Sequence, residues 1–427
     1  MTSHRLRRYA LYVVAVLLIP PLLWVGAVLI APTGWAKTRV TALLEARTGR
    51  SIRLERLSLG FLGGVRLTNL EIGSPRRALD PWLRIADLRL DIILLDLFRG
   101  KLQPQILNLE GMKLRVLRRA DGTLEIADLI RPDVTAKNFS EHRHDEGEFV
   151  FHIRSGDLTI IDEASQTRLH MRNVEGDGIR SDRRLVVKNL RGLLNGGAFH
   201  FVGQADRTDG VPTIEGRFKA EDVVLDDGMS ALRYAVPVLA GAPLNLKGHL
   251  GADIYVQGRG ATWDALRASL VGHGVITISP VDLDGAPLVA ELSKIVELNR
   301  QGRAASIRSD FAIQDRRITT DHFTLNIGRV PITLAGWTGF DGQLEYRVNL
   351  KSLSDRLPDT ARQLLGDLHV ELEKLTTLSV KGNVNKMAVL IDGVPLDQSL
   401  VRKVGLKRED REKLRVLGRQ FLDKLAR

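Results

Sequence analysis

The densest cluster of side chains that could bind a metal ion lies at positions 142–146, which read His-Arg-His-Asp-Glu. Imidazole and carboxylate groups are common ligands of zinc and related ions. The cluster falls inside the stretch 135–148, whose polar and charged composition is typical of a loop. Asp282 and Asp284 resemble a fragment of a calcium-binding loop, but the remaining ligands of such a loop are missing. We therefore predict a loop and a turn at these places, and no metal site.

An enzyme needs a set of catalytic residues, and the sequence contains none of the common motifs that supply one. It has no Gly-x-Ser-x-Gly elbow, no phosphate-binding loop, no His-Glu-x-x-His motif and no dinucleotide-binding fingerprint. It also has no cysteine, which excludes disulfides, thiolate metal sites and cysteine nucleophiles. We predict a protein that is not an enzyme and has no cofactor. A hydrolase that uses dispersed carboxylates is the alternative.

The chain of 427 residues has a formal net charge of +11. The location of the excess positive charge along the chain bears on which partners it could bind. The excess lies in the first 31 residues and in residues 401–427, whereas the segment between them is nearly balanced. A nucleic-acid-binding domain usually concentrates positive charge on its folded face. We therefore expect no nucleic-acid partner.

Residues 9–31 contain no charged side chain and predict a transmembrane helix. A helix of that length rises about 34 Å, enough to cross the hydrocarbon core of a bilayer. Trp24 and Trp35 are expected at the membrane interfaces, where aromatic residues are enriched. We predict a single-pass anchor with a short cytoplasmic head at 1–8. A cleaved signal peptide is the alternative, although its apolar stretch is usually about half as long.

After a short helix predicted over residues 35–48, apolar and polar residues alternate along most of the chain. Ile52–Leu59, Val65–Ile72 and Leu344–Leu350 are examples of this alternation. A period of two is typical of strands that have one apolar and one polar face. More than a dozen such segments, separated by turn residues, predict a mostly β protein with a long antiparallel sheet.

Few helices are available to cover the apolar face of such a sheet. The candidates are residues 262–268, 287–299, 354–365 and the C-terminal stretch 401–427. Because four short helices cannot cover a dozen strands, we expect the sheet to curl on itself as a sandwich, a barrel or an open trough.

Residues 401–427 predict a basic amphipathic helix. Leu414, Leu417, Phe421 and Leu425 recur at helical spacing and form its apolar face. The basic residues of this tail include Arg411, Lys413, Arg415, Arg419 and Lys424. Such a helix either lies on an anionic membrane surface or caps the end of the sheet.

Two blocks of the sequence resemble AsmA-like proteins. The first runs through Val-Arg-Leu-Thr-Asn-Leu-Glu-Ile-Gly-Ser-Pro at 65–75 to Arg-Ala-Asp-Gly-Thr-Leu-Glu-Ile-Ala-Asp-Leu at 119–129, directly after the predicted span. The second runs from Gly-His-Gly-Val-Ile-Thr-Ile at 272–278 to Leu-Ser-Val-Lys-Gly at 378–382. The sequence departs from the family pattern near Met387, where the expected proline is absent.

This resemblance implies a protein of the inner membrane of a diderm envelope, with most of the chain in the periplasm. It implies that the curled sheet forms a hydrophobic groove, similar in architecture to the chorein-type bridge-like lipid-transfer proteins. The implied function is phospholipid handling or transfer in outer-membrane biogenesis. The alternative is a structural scaffold of the envelope that assists outer-membrane protein assembly. The implied partners are phospholipid or another acyl lipid, the inner membrane and outer-membrane assembly proteins.

The predicted organisation follows from the span, the alternation and the two blocks. It comprises the head 1–8, the transmembrane helix 9–31, the N-terminal AsmA-like β region 32–134, the charged loop 135–148, the middle β region 149–260, the C-terminal AsmA-like β region 261–400 and the basic helix 401–427.

A groove lined by alternate apolar residues would hold lipid tails, because each buried methylene contributes about 0.8 kcal/mol. The candidate lining residues are Phe199, Phe201, Phe311, Ile313, Phe323, Leu325, Ile327, Ile332, Leu334, Tyr346 and Val348. Ordinary core packing is the alternative for each of them.

Overall fold

The computed structural model describes residues 34–59, 64–73, 81–92, 104–119, 148–163, 167–181, 183–207, 209–225, 232–239, 247–281, 305–327, 330–349, 378–391 and 394–395. Several predicted features lie outside these residues. They are the span 9–31 with Trp24, the cluster at 142–146, Asp282 and Asp284, the helices at 287–299 and 354–365, and the basic tail 401–427. Trp35 falls within the described backbone.

The described chain is mostly β strand with few helices, as the alternation predicts. The helices are α1 (Gly34–Thr48), α2 (Leu232–Ala235), a 3₁₀ turn (Pro237–Leu239) and α3 (Trp263–Ser269). The strands are β1 (Ile52–Leu59), β2 (Gly64–Gly73), β3 (Pro81–Ile92), β4 (Pro104–Arg118), β5 (Phe149–Asp162), β6 (Thr167–Arg180), β7 (Arg184–Leu194), β8 (Gly197–Asp206), β9 (Thr213–Val224), β10 (Gly248–Arg259), β11 (Val271–Val281), β12 (Ala305–Gln314), β13 (Arg317–Ile327), β14 (Val330–Gly339), β15 (Gln343–Asn349), β16 (Leu378–Asn383), β17 (Lys386–Ile391) and β18 (Val394–Pro395). None of the helices in the described ranges is both long and apolar enough to cross a bilayer.

The chain divides into two compact units. Unit 1 comprises Met1–Ala164 with His170–Gly192, and unit 2 comprises Ser165–Leu169 with Leu193–Arg427. Both units are built on β strands that pair with their neighbours in the chain, and most of these pairs are antiparallel.

One pair in unit 1 departs from the predicted antiparallel order, because β4 and β5 run parallel. Ile106 pairs with Val150 and Val116 with Ile160. A parallel pair requires a long crossover connection, and the chain between these strands, residues 119–148, is long enough to provide one.

Helix α1 covers the start of the sheet in unit 1. Its residues Val40 and Leu44 pack against a buried cluster that includes Ile52 and Leu54 of β1. The helix ends at Gly49, which has a φ of 65° and donates its N–H to the Glu45 carbonyl at 2.8 Å. The left-handed conformation suits glycine and closes the helix.

A row of additional residues crosses β1 to β5 at one level. It consists of one residue from each strand: Glu55, Asn69, Ala86, Gly111 and Ser155. These residues are not paired with one another, although the pairs before and after them keep the same register. Asn69, Gly111 and Ser155 have φ values of 49°, 65° and 53°. Buried residues are accordingly three positions apart across this row, and they are Leu54 and Leu57, Leu67 and Leu70, and Ile85 and Leu88. The alternation of the two faces is therefore interrupted at the same level in these strands, and their buried residues stay aligned across it.

In unit 2 the pairing of β8 to β16, which contains register shifts in the pairs from β9 to β14, places side chains of one face in rows that run across the strands. Row 1 contains Val223, Leu250, Ile278, Ile307, Leu325 and Ile332. Row 2 contains Phe199, Ala220, Ala252, Ile276, Ser309, Phe323, Leu334 and Val348. Row 3 contains Phe201, Phe218, Ile254, Gly274, Phe311, Thr320, Gly336, Tyr346 and Val380. Row 4 contains Gly203, Gly216, Val256, Gly272, Ile313, Ile318, Thr338 and Leu344.

Candidate functional site

Rows 1–4 form the apolar face of unit 2, which is the candidate functional site. The rows contain no charged side chain, and their polar groups are the hydroxyls of Ser309, Thr320, Thr338 and Tyr346. The composition follows from the alternation, because every second residue of a strand points to the same face. Such a face can bury apolar groups and offers few hydrogen bonds.

The part of this face on β12 to β15 is closed, and we call it the closed segment. Phe323, Leu325 and Tyr346 have no exposed surface, and Leu334 is 2% exposed. Atoms of the chain itself cover these side chains. A second molecule can therefore reach them only if a covering part of the protein moves.

In rows 3 and 4 the part on β8 to β10 is more accessible, and we call it the open segment. Phe201, Phe218, Ile254 and Val256 are half-buried in rows 3 and 4. Phe199 and Phe218 stack with their ring centroids 6.3 Å apart. The open segment therefore presents partly exposed apolar and aromatic groups.

A strap of the chain, residues 232–239, lies on the closed segment and consists of α2 and the 3₁₀ turn. The Ser309 hydroxyl donates to the Ala235 carbonyl at 2.6 Å, which ties β12 to the strap. Val236 and Leu239 of the strap are 0% and 1% exposed. Helix α2 also contacts β13 and β14. The strap therefore buries its own apolar side chains where it seals the sheet.

Glycines in rows 3 and 4 allow aromatic rings to lie close to the backbone. A Cβ atom at Gly216 would lie 2.9 Å from the Phe201 ring, and one at Gly274 would lie 2.6 Å from the Phe311 ring. These distances are too short for a Cβ atom, so the ring or the backbone would have to move to admit one. Glycine at these positions therefore sets how deep the rings sit on the face.

Two of the hydroxyls of the closed segment are paired with each other within the sheet. The hydroxyls of Tyr346 and Thr338 lie 3.0 Å apart. Burial raises the pKa of the Tyr346 phenol above its ordinary value, with a smaller opposing effect from the hydrogen bond to Thr338. The tyrosine is therefore neutral at physiological pH and acts as a core side chain with one hydrogen bond.

The opposite face of the same strands carries paired charges. Arg217 binds Asp253 at 2.8 Å, and the Tyr255 hydroxyl donates to Glu215 at 2.8 Å. The hydrogen bonds from Gln204 and then Tyr255 hold the pKa of Glu215 below its usual value. Exposed groups whose charges are matched in this way are typical of a solvated sheet face.

Unit 1 has its own partly exposed apolar side chains. Phe151 of β5 is half-buried, and its ring occupies the space beside Gly178 of β6, where a Cβ atom would lie 2.3 Å from it. The opposite face carries polar contacts such as that of His152 Nδ1 with Asp177 Oδ1 at 2.5 Å. In unit 2 the strand pairs from β8 to β15 all have a defined register, so the rows of its apolar face are continuous.

All eleven predicted lining residues lie in β8 or in β12 to β15. Nine of them are buried, namely Phe199, Phe311, Ile313, Phe323, Leu325, Ile332, Leu334, Tyr346 and Val348. Phe201 and Ile327 are half-buried. The prediction that they line a lipid groove stays a prediction.

Sequence reasoning missed three residues of the open segment, Phe218, Ile254 and Val256. All three lie in stretches whose alternation is visible, 214–218 and 253–256. The signal was therefore present, but the alternation carries no information about exposure.

Among the described residues, no group of three or more His, Asp or Glu side chains is arranged to hold a metal ion. Comparison of the chain with family models, with curated proteins and with solved structures gives no match. The AsmA-like resemblance of residues 65–129 and 272–382 therefore remains an expectation from the sequence.

Proposed function

We propose that this protein is a non-enzymatic, membrane-tethered lipid-binding protein that holds phospholipid acyl chains on the apolar face of unit 2. The supporting observation is the open segment, where Phe218, Ile254 and Val256 leave apolar surface accessible. An acyl chain suits this surface because it needs no hydrogen-bond partner. Each methylene that it buries contributes about 0.8 kcal/mol, and the head group stays in water.

The proposed location is the inner membrane, with most of the chain in the periplasm and a role in phospholipid transport for outer-membrane biogenesis. The uncharged stretch 9–31 supports the tether. The resemblance of residues 65–129 and 272–382 to AsmA-like proteins supports the role. On this view the sheet of unit 2 is a curled groove whose rows guide the acyl chain across the strands.

The test compares Val256→Asp with Gln257→Asp in the full-length chain purified in mild detergent. Both variants add one negative charge to β10, but Val256 lies on the apolar face and Gln257 is exposed on the polar face. The readouts are the phospholipid that co-purifies, measured by mass spectrometry, and the uptake of phosphatidylethanolamine with a fluorescent acyl chain.

We expect the wild type and Gln257→Asp to bind lipid equally, and Val256→Asp to lose at least tenfold in uptake. Urea unfolding of all three proteins checks that the loss is not due to misfolding. A wild-type protein that carries no lipid and takes up none would exclude the proposal.

A structural scaffold of the envelope that assists outer-membrane protein assembly is the second candidate. The closed segment favours it, because Phe323, Leu325 and Tyr346 are sealed by the chain in the manner of an ordinary core. This candidate predicts that the wild type and both variants bind no lipid, while loss of the protein still reduces outer-membrane protein levels.

A further inference from the structure

The strap takes an unusual position for a connection between two neighbouring strands. It joins β9 to β10, yet it lies on β12, β13 and β14. A connection between adjacent antiparallel strands needs only a short turn. The longer connection therefore does more than join β9 to β10, because it covers rows 1 and 2 of the closed segment.

The strap has little structure of its own to hold it in place. Helix α2 has four residues and the 3₁₀ turn has three. Helices of this length are not stable alone, so packing on the sheet determines where the strap lies. Apolar contacts of Ala235, Val236 and Leu239 supply that packing, together with the hydrogen bond from Ser309.

The surface beneath the strap continues into the open segment without a polar barrier. Row 2 runs from Phe199 through Ala252 and Ile276 to Ser309, where the strap is tied. Phe199 and Ile276 are themselves only 4% and 3% exposed, so row 2 is also covered between the open segment and the strap. An acyl chain that extends from rows 3 and 4 of β8 to β10 toward the strap therefore has to displace covering parts of the chain, but it meets no charged side chain on the way.

We infer that the strap is an internal occupant of a second acyl-chain site on the closed segment, and that a lipid chain entering from the open segment displaces it. This inference rests on the proposed function. The strap and an acyl chain compete because both bury apolar surface against the same rows. The strap thereby keeps Phe323 and Leu334 covered until lipid arrives.

The experiment places a diazirine analogue of phenylalanine at Phe218 or at Phe323 in the full-length chain. Illumination in the presence of phosphatidylethanolamine vesicles then attaches lipid to any analogue that contacts it. Each analogue is combined with Leu239→Ala, which loosens the strap, or with Leu57→Ala, which is the matched control. Both leucines are buried, at 1% and 6% exposure, but Leu57 lies in β1 of unit 1, outside the strap and outside the apolar face of unit 2.

We expect capture at position 218 in every background, and capture at position 323 that rises at least threefold with Leu239→Ala but not with Leu57→Ala. Capture at 218 with none at 323 in any background would overturn the inference and leave the proposed function intact. Absence of capture at both positions would overturn the proposed function itself.

A second measurement decides the question if the analogue at position 323 disturbs folding. The total fluorescent phosphatidylethanolamine bound per chain should rise in Leu239→Ala relative to Leu57→Ala. Equal binding by these two variants, with wild-type binding intact, would contradict displacement of the strap.

Discussion

The open and closed segments of unit 2 share one pattern of rows but differ in what covers them. In row 3, Phe218 and Ile254 are half-buried, whereas Tyr346 is fully buried. The strands of both segments are apolar on this face, so the difference arises from what covers them, and the strap on β12, β13 and β14 is one such covering element. Alternation therefore determines which face is apolar, and the connections determine whether that face is accessible.

The largest expected difference between the segments is in stability. Phe323→Ala removes a fully buried ring and should cost about 3–5 kcal/mol of unfolding free energy, because it leaves a cavity in a rigid core. Phe218→Ala should cost about half as much, since its ring is already partly in water. Urea unfolding of full-length proteins measures both values, and equal losses would mean that the two segments are equally packed.

Glycine-to-alanine substitutions should also distinguish the closed segment from the open segment, with a smaller loss of stability than the phenylalanine substitutions. A Cβ atom at Gly336 would lie 2.1 Å from the backbone oxygen of Glu345, which cannot move alone. Gly336→Ala should therefore cost about 1–3 kcal/mol.

Its counterpart in the open segment is Gly216→Ala, where the nearest atom belongs to the Phe201 ring at 2.9 Å. That ring can rotate away, so the loss should be smaller than for Gly336→Ala. Thermal unfolding of the two variants compares them, and a larger loss for Gly216→Ala would mean that the open segment is the more rigid part.

The smallest expected effect lies on the polar face and depends on pH. The hydrogen bond from Arg217 holds the pKa of Asp253 below its ordinary value of 3.8. Because the folded-state pKa is lowered, the pair stabilises the protein above about pH 4, and this contribution is lost as the pH falls through the folded-state pKa. The aspartate is 39% exposed, so the contribution should be below about 1 kcal/mol and should weaken in salt.

Asp253→Asn should remove this part of the acid sensitivity while leaving lipid uptake unchanged. Urea unfolding at pH 7 and near pH 3 in low salt measures the effect. Identical pH dependence in the variant and the wild type would show that the pair contributes nothing to stability.

The sequence predicted the strands well because their signal is local. The alternation identified the apolar faces of β1, β2 and β12 to β15, and the helix predicted over 262–268 corresponds to α3. At its start the Thr262 hydroxyl accepts the Ala265 N–H at 3.2 Å. Such features depend on residues close together in the chain.

Features that depend on distant contacts were not predicted. The parallel pair of β4 and β5 depends on the path of residues 119–148, which was interpreted only as containing a charged loop. The strap was missed because Leu232–Leu239 is short and contains Pro237, so it has no periodic pattern. Exposure along row 3 was not predictable either, since it depends on which segment covers each residue.

The row of additional residues in unit 1 makes the register of five strands interdependent, although a mutation changes only one strand at a time. Losing Gly111 alone would leave β4 one position out of step with both neighbours beyond that level. Half of that strand would then turn its leucines to water and its charges to the core. An insertion or deletion at this level is therefore tolerated only when all five strands change together. This row is accordingly the part of unit 1 that is least tolerant of insertions and deletions.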